Sequence, residues 1–134
     1  DILDEKEKTA KIIDYKTGKP KTKGEIEGTT KTSTGYLKRQ LVFYALLAKL
    51  DKHFPLKVIQ FELDFVESPF LNDKSGKTTF SVSEKEIEDL KKVIKKASKE
   101  IRALRFPRTK ETSPCHRCEC KDHCWPTAIP KTLQ

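Results

Sequence analysis

Three groups of residues in this chain carry types and spacings suited to chemistry. The first lies in Lys11-Ile12-Ile13-Asp14-Tyr15-Lys16-Thr17-Gly18-Lys19-Pro20. In a strand, residues i and i+2 project to one face. Asp14 and Lys16 would therefore leave a strand end together, with Ile13 and Tyr15 on the other face. A carboxylate beside an ammonium can hold a divalent cation and offset charge on a phosphate. It can equally be a surface ion pair on an edge strand, and a bare D-x-K does not decide. The second group is Gln40 and Tyr44, which are i and i+4 and share a helix face. A buried glutamine needs partners for both ends of its amide, whether the pair fixes core packing or positions a site. The third is the tail, with Cys115, Cys118, Cys120 and Cys124 beside His116 and His123. All four cysteines fall within ten residues, which speaks for a metal or cluster site more than for a disulfide framework. Reduced free thiols are the plain alternative.

The elements that must position these groups follow from periodicity. Asp1-Ile2-Leu3 reads as a strand end, Asp4 to Lys8 as a polar turn, and Ala10 to Lys16 as the next strand, giving a hairpin. Lys19 to Ser33 has no usable period and reads as a long loop. Its Lys19, Lys21, Lys23 and Lys31 suit a phosphate backbone, and solvated mobility would also account for them. Ser33 or Thr34 is placed to cap a helix over Tyr36–Leu50. That helix is apolar almost all round, so burial on more than one side is expected. Lys57 to Val66 alternates, with Ile59, Phe61, Leu63 and Phe65 on one face and Gln60, Glu62 and Asp64 on an exposed one. Ser68 to Gly76 is turn-rich, and Thr78, Phe80 and Val82 form a short strand. Ser83 and Glu86 make a capping box. The helix it opens runs to about Leu104, with Ile87, Leu90, Ile94, Ala97, Ile101 and Leu104 on one face and lysines on the other. Phe106-Pro107 ends it.

The chain has 134 residues, enough for one small domain. Its net charge of +8 suits a polyanion such as DNA, as does any solvated lysine-rich surface. No run is long or apolar enough for a membrane span and no signal peptide is visible, which sets the expectation of a cytoplasmic protein. The opening on Asp1 rather than Met reads as that of a fragment. The expected division is a core over residues 1–110 and a cysteine-rich tail over 111–134.

The I-I-D-Y-K-T-G stretch resembles the signature of RecB-type nucleases of the PD-(D/E)XK superfamily, as attached to superfamily 1 helicases. Gln40 to Tyr44 resembles their Q-x-x-x-Y motif, and the tail resembles their C-x₂-C-x₅-C. The resemblance spans nearly the whole chain. It implies an α/β fold with a restriction-endonuclease-like core, a mixed β-sheet flanked by helices, and a C-terminal cysteine knuckle. It implies a metal-dependent DNA nuclease module of a helicase-nuclease in repair or recombination, with Mg²⁺ or Mn²⁺ as cofactor. In that scheme Asp14 and the Tyr15 carbonyl bind metal, Lys16 acts on the attacking water and the phosphate, and Gln40 and Tyr44 position the site. Cys115, Cys118 and Cys124 correspond to three ligands of a [4Fe–4S] cluster. The fourth family cysteine lies upstream and has no counterpart here, Cys120 departs from the pattern, and zinc is the competing metal. The family's second metal-binding acid sits in the strand before D-x-K. Asp1 either is that acid or lies a few residues past it, and the second placement is preferred. A non-catalytic DNA-binding or scaffolding module of a helicase is the alternative reading, and a small zinc-binding interaction domain resting on the cysteines is a further one.

Overall fold

Strand β1 (Ile2–Asp4) and strand β2 (Thr9–Lys16) form the expected antiparallel hairpin. The computed structural model that shows it describes residues 1–67, 76–106 and 118–124. The Asp4 carboxylate closes the turn by accepting from the backbone N–H groups of Lys6 and Glu7 at 2.8 and 3.0 Å, as aspartate does in turns. Strand β2 then pairs in parallel with β3 (Lys57–Phe65), and β3 pairs antiparallel with β4 (Lys77–Phe80). The result is a mixed four-stranded sheet in the order β1-β2-β3-β4. A parallel pair needs a crossover, and helices α1 (Lys23–Glu27) and α2 (Tyr36–Leu50) lie within it.

Helix α1 corrects the expectation of a structureless loop over Lys19–Ser33. It has only five residues, too few for a hydrophobic period to register. Its signal is the capping box Thr22-x-x-Glu25: Glu25 N–H donates to Thr22 Oγ1 at 3.3 Å and Thr22 N–H donates back to Glu25 Oε2 at 2.8 Å. These bonds to Thr22 pull the Glu25 carboxyl below its ordinary range. Ile26 is fully buried and anchors the helix. Gly28 ends it in the left-handed region at φ 80°, and an added Cβ there would stand 2.7 Å from the Gly35 nitrogen. Gly35 itself, at φ 66°, is the N-cap of α2 with no side-chain capping bond. The cap is therefore neither Ser33 nor Thr34. The close glycine–glycine contact sets the corner between α1 and α2 by backbone alone.

Helix α2 spans the expected residues but is buried on one side only. Leu37, Leu41, Val42, Ala45 and Leu46 are in the core, while Phe43, Leu47 and Leu50 are 41, 48 and 64 % exposed. The core joins these to Ile26 of α1, to Phe61, Leu63 and Phe65 of β3, and to Phe80 of β4. Strand β3 departs from clean alternation at Ile59. Ala10 pairs with Val58 and Lys11 with Gln60, so Ile59 is a bulge residue opposite nothing. Val58 packs on the core in its place, and Ile59 is 47 % exposed.

The opposite face of the sheet is polar but not simply exposed. Glu62 is buried at 7 %, ion-paired to Lys11 at 3.1 Å, and near Thr79 Oγ1 at 3.5 Å. Asp64 pairs with Lys77 at 3.6 Å. Cross-strand neighbours of opposite charge pack over one another there, which corrects the expectation of a solvated Glu62.

Helix α3 (Glu84–Arg102) opens with the expected capping box, Ser83 N–H to Glu86 Oε2 at 2.7 Å and Glu86 N–H to Ser83 Oγ at 3.3 Å. Burial pushes the Glu86 carboxyl upward, but its hydrogen bonds to Ser83 and the Lys38 ammonium together bring it below the usual range. Ile87 and Leu90 enter the core. The rest of the expected stripe does not: Ile94, Ile101 and Leu104 are 38, 58 and 80 % exposed. The helix ends in a Schellman motif, Arg105 N–H to Glu100 O and Leu104 N–H to Ile101 O, with Leu104 in the left-handed region usually given to glycine. Contacts divide the chain into one unit over Asp1–Ile94 and another over Lys95–Gln134. In the second unit a short helix α4 (Lys121–Cys124) is described. The turn-rich 68–75 stretch, Pro107, Cys115 and His116 lie outside the described residues.

Candidate active site

Strand β2 alternates as its sequence requires. Ala10 is buried and Ile12 packs on the core, so Asp14 and Lys16 continue on that face at the strand's C-terminal end. Lys16 Nζ lies 3.0 Å from Asp14 Oδ2. Gln40 and Tyr44, one turn apart on α2, close the arrangement. Lys16 Nζ donates to Gln40 Oε1 at 2.7 Å, Gln40 Nε2 donates to Tyr44 Oη at 2.7 Å, and Tyr44 Oη donates to Asp14 Oδ2 at 3.2 Å. The four side chains that motif spacing singled out thus form one ring.

The ring has a direction that donor chemistry dictates. An ammonium can only donate, so the Gln40 atom facing it must be the carbonyl oxygen. That turns the amide nitrogen to Tyr44, whose own proton is then free for the carboxylate. Charge runs from Lys16 to Asp14 directly and through Gln40 and Tyr44. The Asp14 and Lys16 side chains are only 12 and 22 % exposed, so these bonds act in surroundings drier than bulk water, where charge-assisted hydrogen bonds are stronger. Both contacts fall on Asp14 Oδ2, which leaves Oδ1 as the atom a cation could approach.

Tyr15 is 64 % exposed. Carbonyl groups of successive residues in a strand point to opposite edges. Lys16 O accepts from Val66 on the β3 side and Lys11 O accepts from the Asp1 amine on the β1 side, so the Tyr15 carbonyl points to the outer edge of β2. Asp1 does not join the site. It exchanges both backbone bonds with Lys11, and directly opposed residues share a sheet face, so its side chain projects with Lys11 and away from Asp14. Glu62 and Asp64 are likewise on the far face and committed to Lys11 and Lys77. Among the described cysteines, Cys118 and Cys120 are exposed and Cys124 half-buried, all as free thiols. His123 and Cys124 N–H groups both donate to Cys120 O. Among the described residues no three His, Cys, Asp or Glu side chains gather to hold a metal ion, and no helix is long and apolar enough to cross a membrane.

A carboxylate, an ammonium and a carbonyl at one strand end offer hard oxygen donors for a divalent cation and a positive group for a phosphate. Comparison with the curated proteins and with the solved structures finds no match in either. Comparison with protein families finds the PD-(D/E)XK nuclease superfamily over residues 1–125, and the mixed sheet with its packed helices is the restriction-endonuclease-like α/β arrangement. The chain therefore belongs to the PD-(D/E)XK nuclease superfamily, whose chemistry is nuclease-type phosphodiester hydrolysis with divalent metals such as Mg²⁺ or Mn²⁺.

Proposed function

We propose that this chain is the nuclease module of a RecB-type helicase-nuclease that cuts DNA during repair or recombination. The observation that carries the reading is the Asp14–Lys16–Gln40–Tyr44 ring. It is built from the two motifs that resemble that subfamily, which lie 24 residues apart in sequence at Lys16 and Gln40. The net charge of +8 supports a polyanionic substrate.

Asp14 and the Tyr15 carbonyl would hold the Mg²⁺ or Mn²⁺. Mg²⁺ keeps waters and phosphate oxygens around it, but one carboxylate and one carbonyl make a thin site for it. When bound, the metal polarises the phosphate and lowers the pKa of a bound water. Lys16 orients the attacking water and offsets charge that builds on the phosphate in the transition state. Gln40 fixes the Lys16 ammonium from behind, and Tyr44 holds Asp14 in one rotamer.

The strand register supports a place for a second acid. Asp1 pairs with Lys11, so a strand continued upstream in the same register would set the third residue before Asp1 opposite Asp14. In the tail, Cys115, Cys118 and Cys124 would ligate a [4Fe–4S] cluster. Their spacing supports this, and zinc with His116 or His123 is the competitor. Cleavage of labelled DNA and RNA of one sequence, with Mg²⁺, Mn²⁺ or chelator, tests the function. Metal-dependent cutting of DNA supports it, and DNA binding without cutting under any metal replaces it by the non-catalytic module.

A further inference from the structure

One oxygen of the ring serves two positive claims. Asp14 Oδ2 carries the Lys16 ammonium at 3.0 Å and accepts from Tyr44 Oη at 3.2 Å. The ammonium is anchored from its other side as well, because Gln40 Oε1 accepts from it at 2.7 Å. Gln40 is itself held, since its Nε2 donates to Tyr44 Oη at 2.7 Å. A full positive charge is thus fixed against the ring's one carboxylate. The Lys16 and Asp14 side chains are 22 and 12 % exposed, so little water stands between them to screen that charge.

We infer that Lys16 holds down the affinity of Asp14 for a divalent cation. The inference rests on the nuclease reading above and adds a control on the same site. A cation drawn to the Asp14 carboxylate meets an ammonium already paired with it, and like charges repel more strongly where burial thins the water around them. The repulsion is built in before any substrate arrives, because every bond that places the ammonium comes from β2 and α2 themselves. A site weakened in this way leans on the oxygens of a phosphate to retain its cation, which is how Mg²⁺ is commonly bound. The residue that aids the chemical step therefore opposes cation binding in its absence. Removing Lys16 should split the two effects, lowering cutting and raising cation affinity.

The test is Mn²⁺ titration of the 134-residue chain without DNA, with the free ion followed by electron paramagnetic resonance. Asp14→Asn marks the binding that belongs to this site. Lys16→Met keeps the length of the side chain without its charge, and should bind Mn²⁺ roughly 5- to 50-fold tighter than wild type. Lys16→Arg keeps the charge and should stay close to wild type. Tyr44→Phe removes a neutral donor from the same oxygen and should change the affinity far less than Lys16→Met does. Affinity unchanged or weakened in Lys16→Met, or no binding lost in Asp14→Asn, would overturn the inference. So would an equal gain in Tyr44→Phe, which would assign the effect to access to Oδ2 and not to charge. A carboxylate supplied by a longer chain would add affinity to each variant, and the comparison is between variants. Cutting of DNA by the wild type tests the nuclease reading by itself, and its failure would appear in that assay and not in the titration.

Discussion

Replacing Lys16 by alanine in the active protein should abolish most cutting while leaving the fold in place, and the ring allows both effects to be sized. The ammonium makes an ion pair at 3.0 Å and a hydrogen bond at 2.7 Å. If it meets charge that develops on the phosphate, its loss should lower the rate roughly 10²–10³-fold, or about 3–4 kcal/mol. Stability should fall much less. The Lys16 side chain is 22 % exposed, so the pair lies between a buried one, where breaking costs ~3–5 kcal/mol, and an exposed one worth ~0–1 kcal/mol. Asp14 keeps its bond from Tyr44 at 3.2 Å, and water can enter the vacated space to serve Asp14 and Gln40. The sum is about 1 kcal/mol, a Tm drop of about 4–8 °C for a unit of this size. Time courses of metal-dependent oligonucleotide cleavage, run beside melting curves, measure both. Cutting within a few-fold of wild type at normal Tm would refute the reasoning and reduce Lys16 to a counter-ion of Asp14.

Further outcomes follow from the same structure. The 134-residue chain alone should bind Mg²⁺ weakly by calorimetry and cut slowly. Adding an upstream strand with aspartate three residues before Asp1 should raise both, and alanine at that place should not. DNA binding should be nearly sequence-independent and salt-dependent. If Lys19, Lys21, Lys23 and Lys31 touch phosphates, a fourfold rise in salt should weaken it about 10²-fold, and a flat salt series would remove that role. Anaerobically purified protein should absorb near ~400 nm through thiolate-bound iron, whereas colourless protein with stoichiometric zinc would assign a zinc knuckle. Gly28→Ala should destabilise by more than the ~1–2 kcal/mol of a left-handed Cβ alone, because that Cβ meets the Gly35 nitrogen at 2.7 Å. Gly18→Ala, with nothing within 4 Å, is the control in the same melting assay.

What the sequence made legible was set by the length of each signal. Helix α2 and strand β2 carry several apolar residues in phase, and their bounds and the ring's members follow from period and spacing. Helix α1 was missed because five residues cannot display a period, although Thr22-x-x-Glu25 was there to be read. The cap of α2 was misplaced because Ser33 and Thr34 have the usual chemistry, while the corner is fixed by Gly28 and Gly35 meeting through space. The burial of Glu62 was invisible because it depends on Lys11, 51 residues away. No local pattern in the sequence announces such a partner. The outward turn of Leu47 and Phe43 is likewise a tertiary fact, since apolar composition alone cannot say that a helix will find a neighbour on only one side.

The bulge at Ile59 bears on how this strand can change length. Removing one residue from a strand ordinarily exchanges its inner and outer side chains beyond the cut. Deleting Leu63 would have that effect on one side of the gap, turning Asp64 inward and Phe65 outward. Deleting Ile59 would not. Val58 already faces inward opposite Ala10, and Gln60 is already opposite Lys11, so closing the gap leaves a regular ladder with Phe61, Leu63 and Phe65 where they were. The residue lost is 47 % exposed and gives up little apolar burial. The bulge is thus the place in β3 where the strand can lose one residue and keep its core.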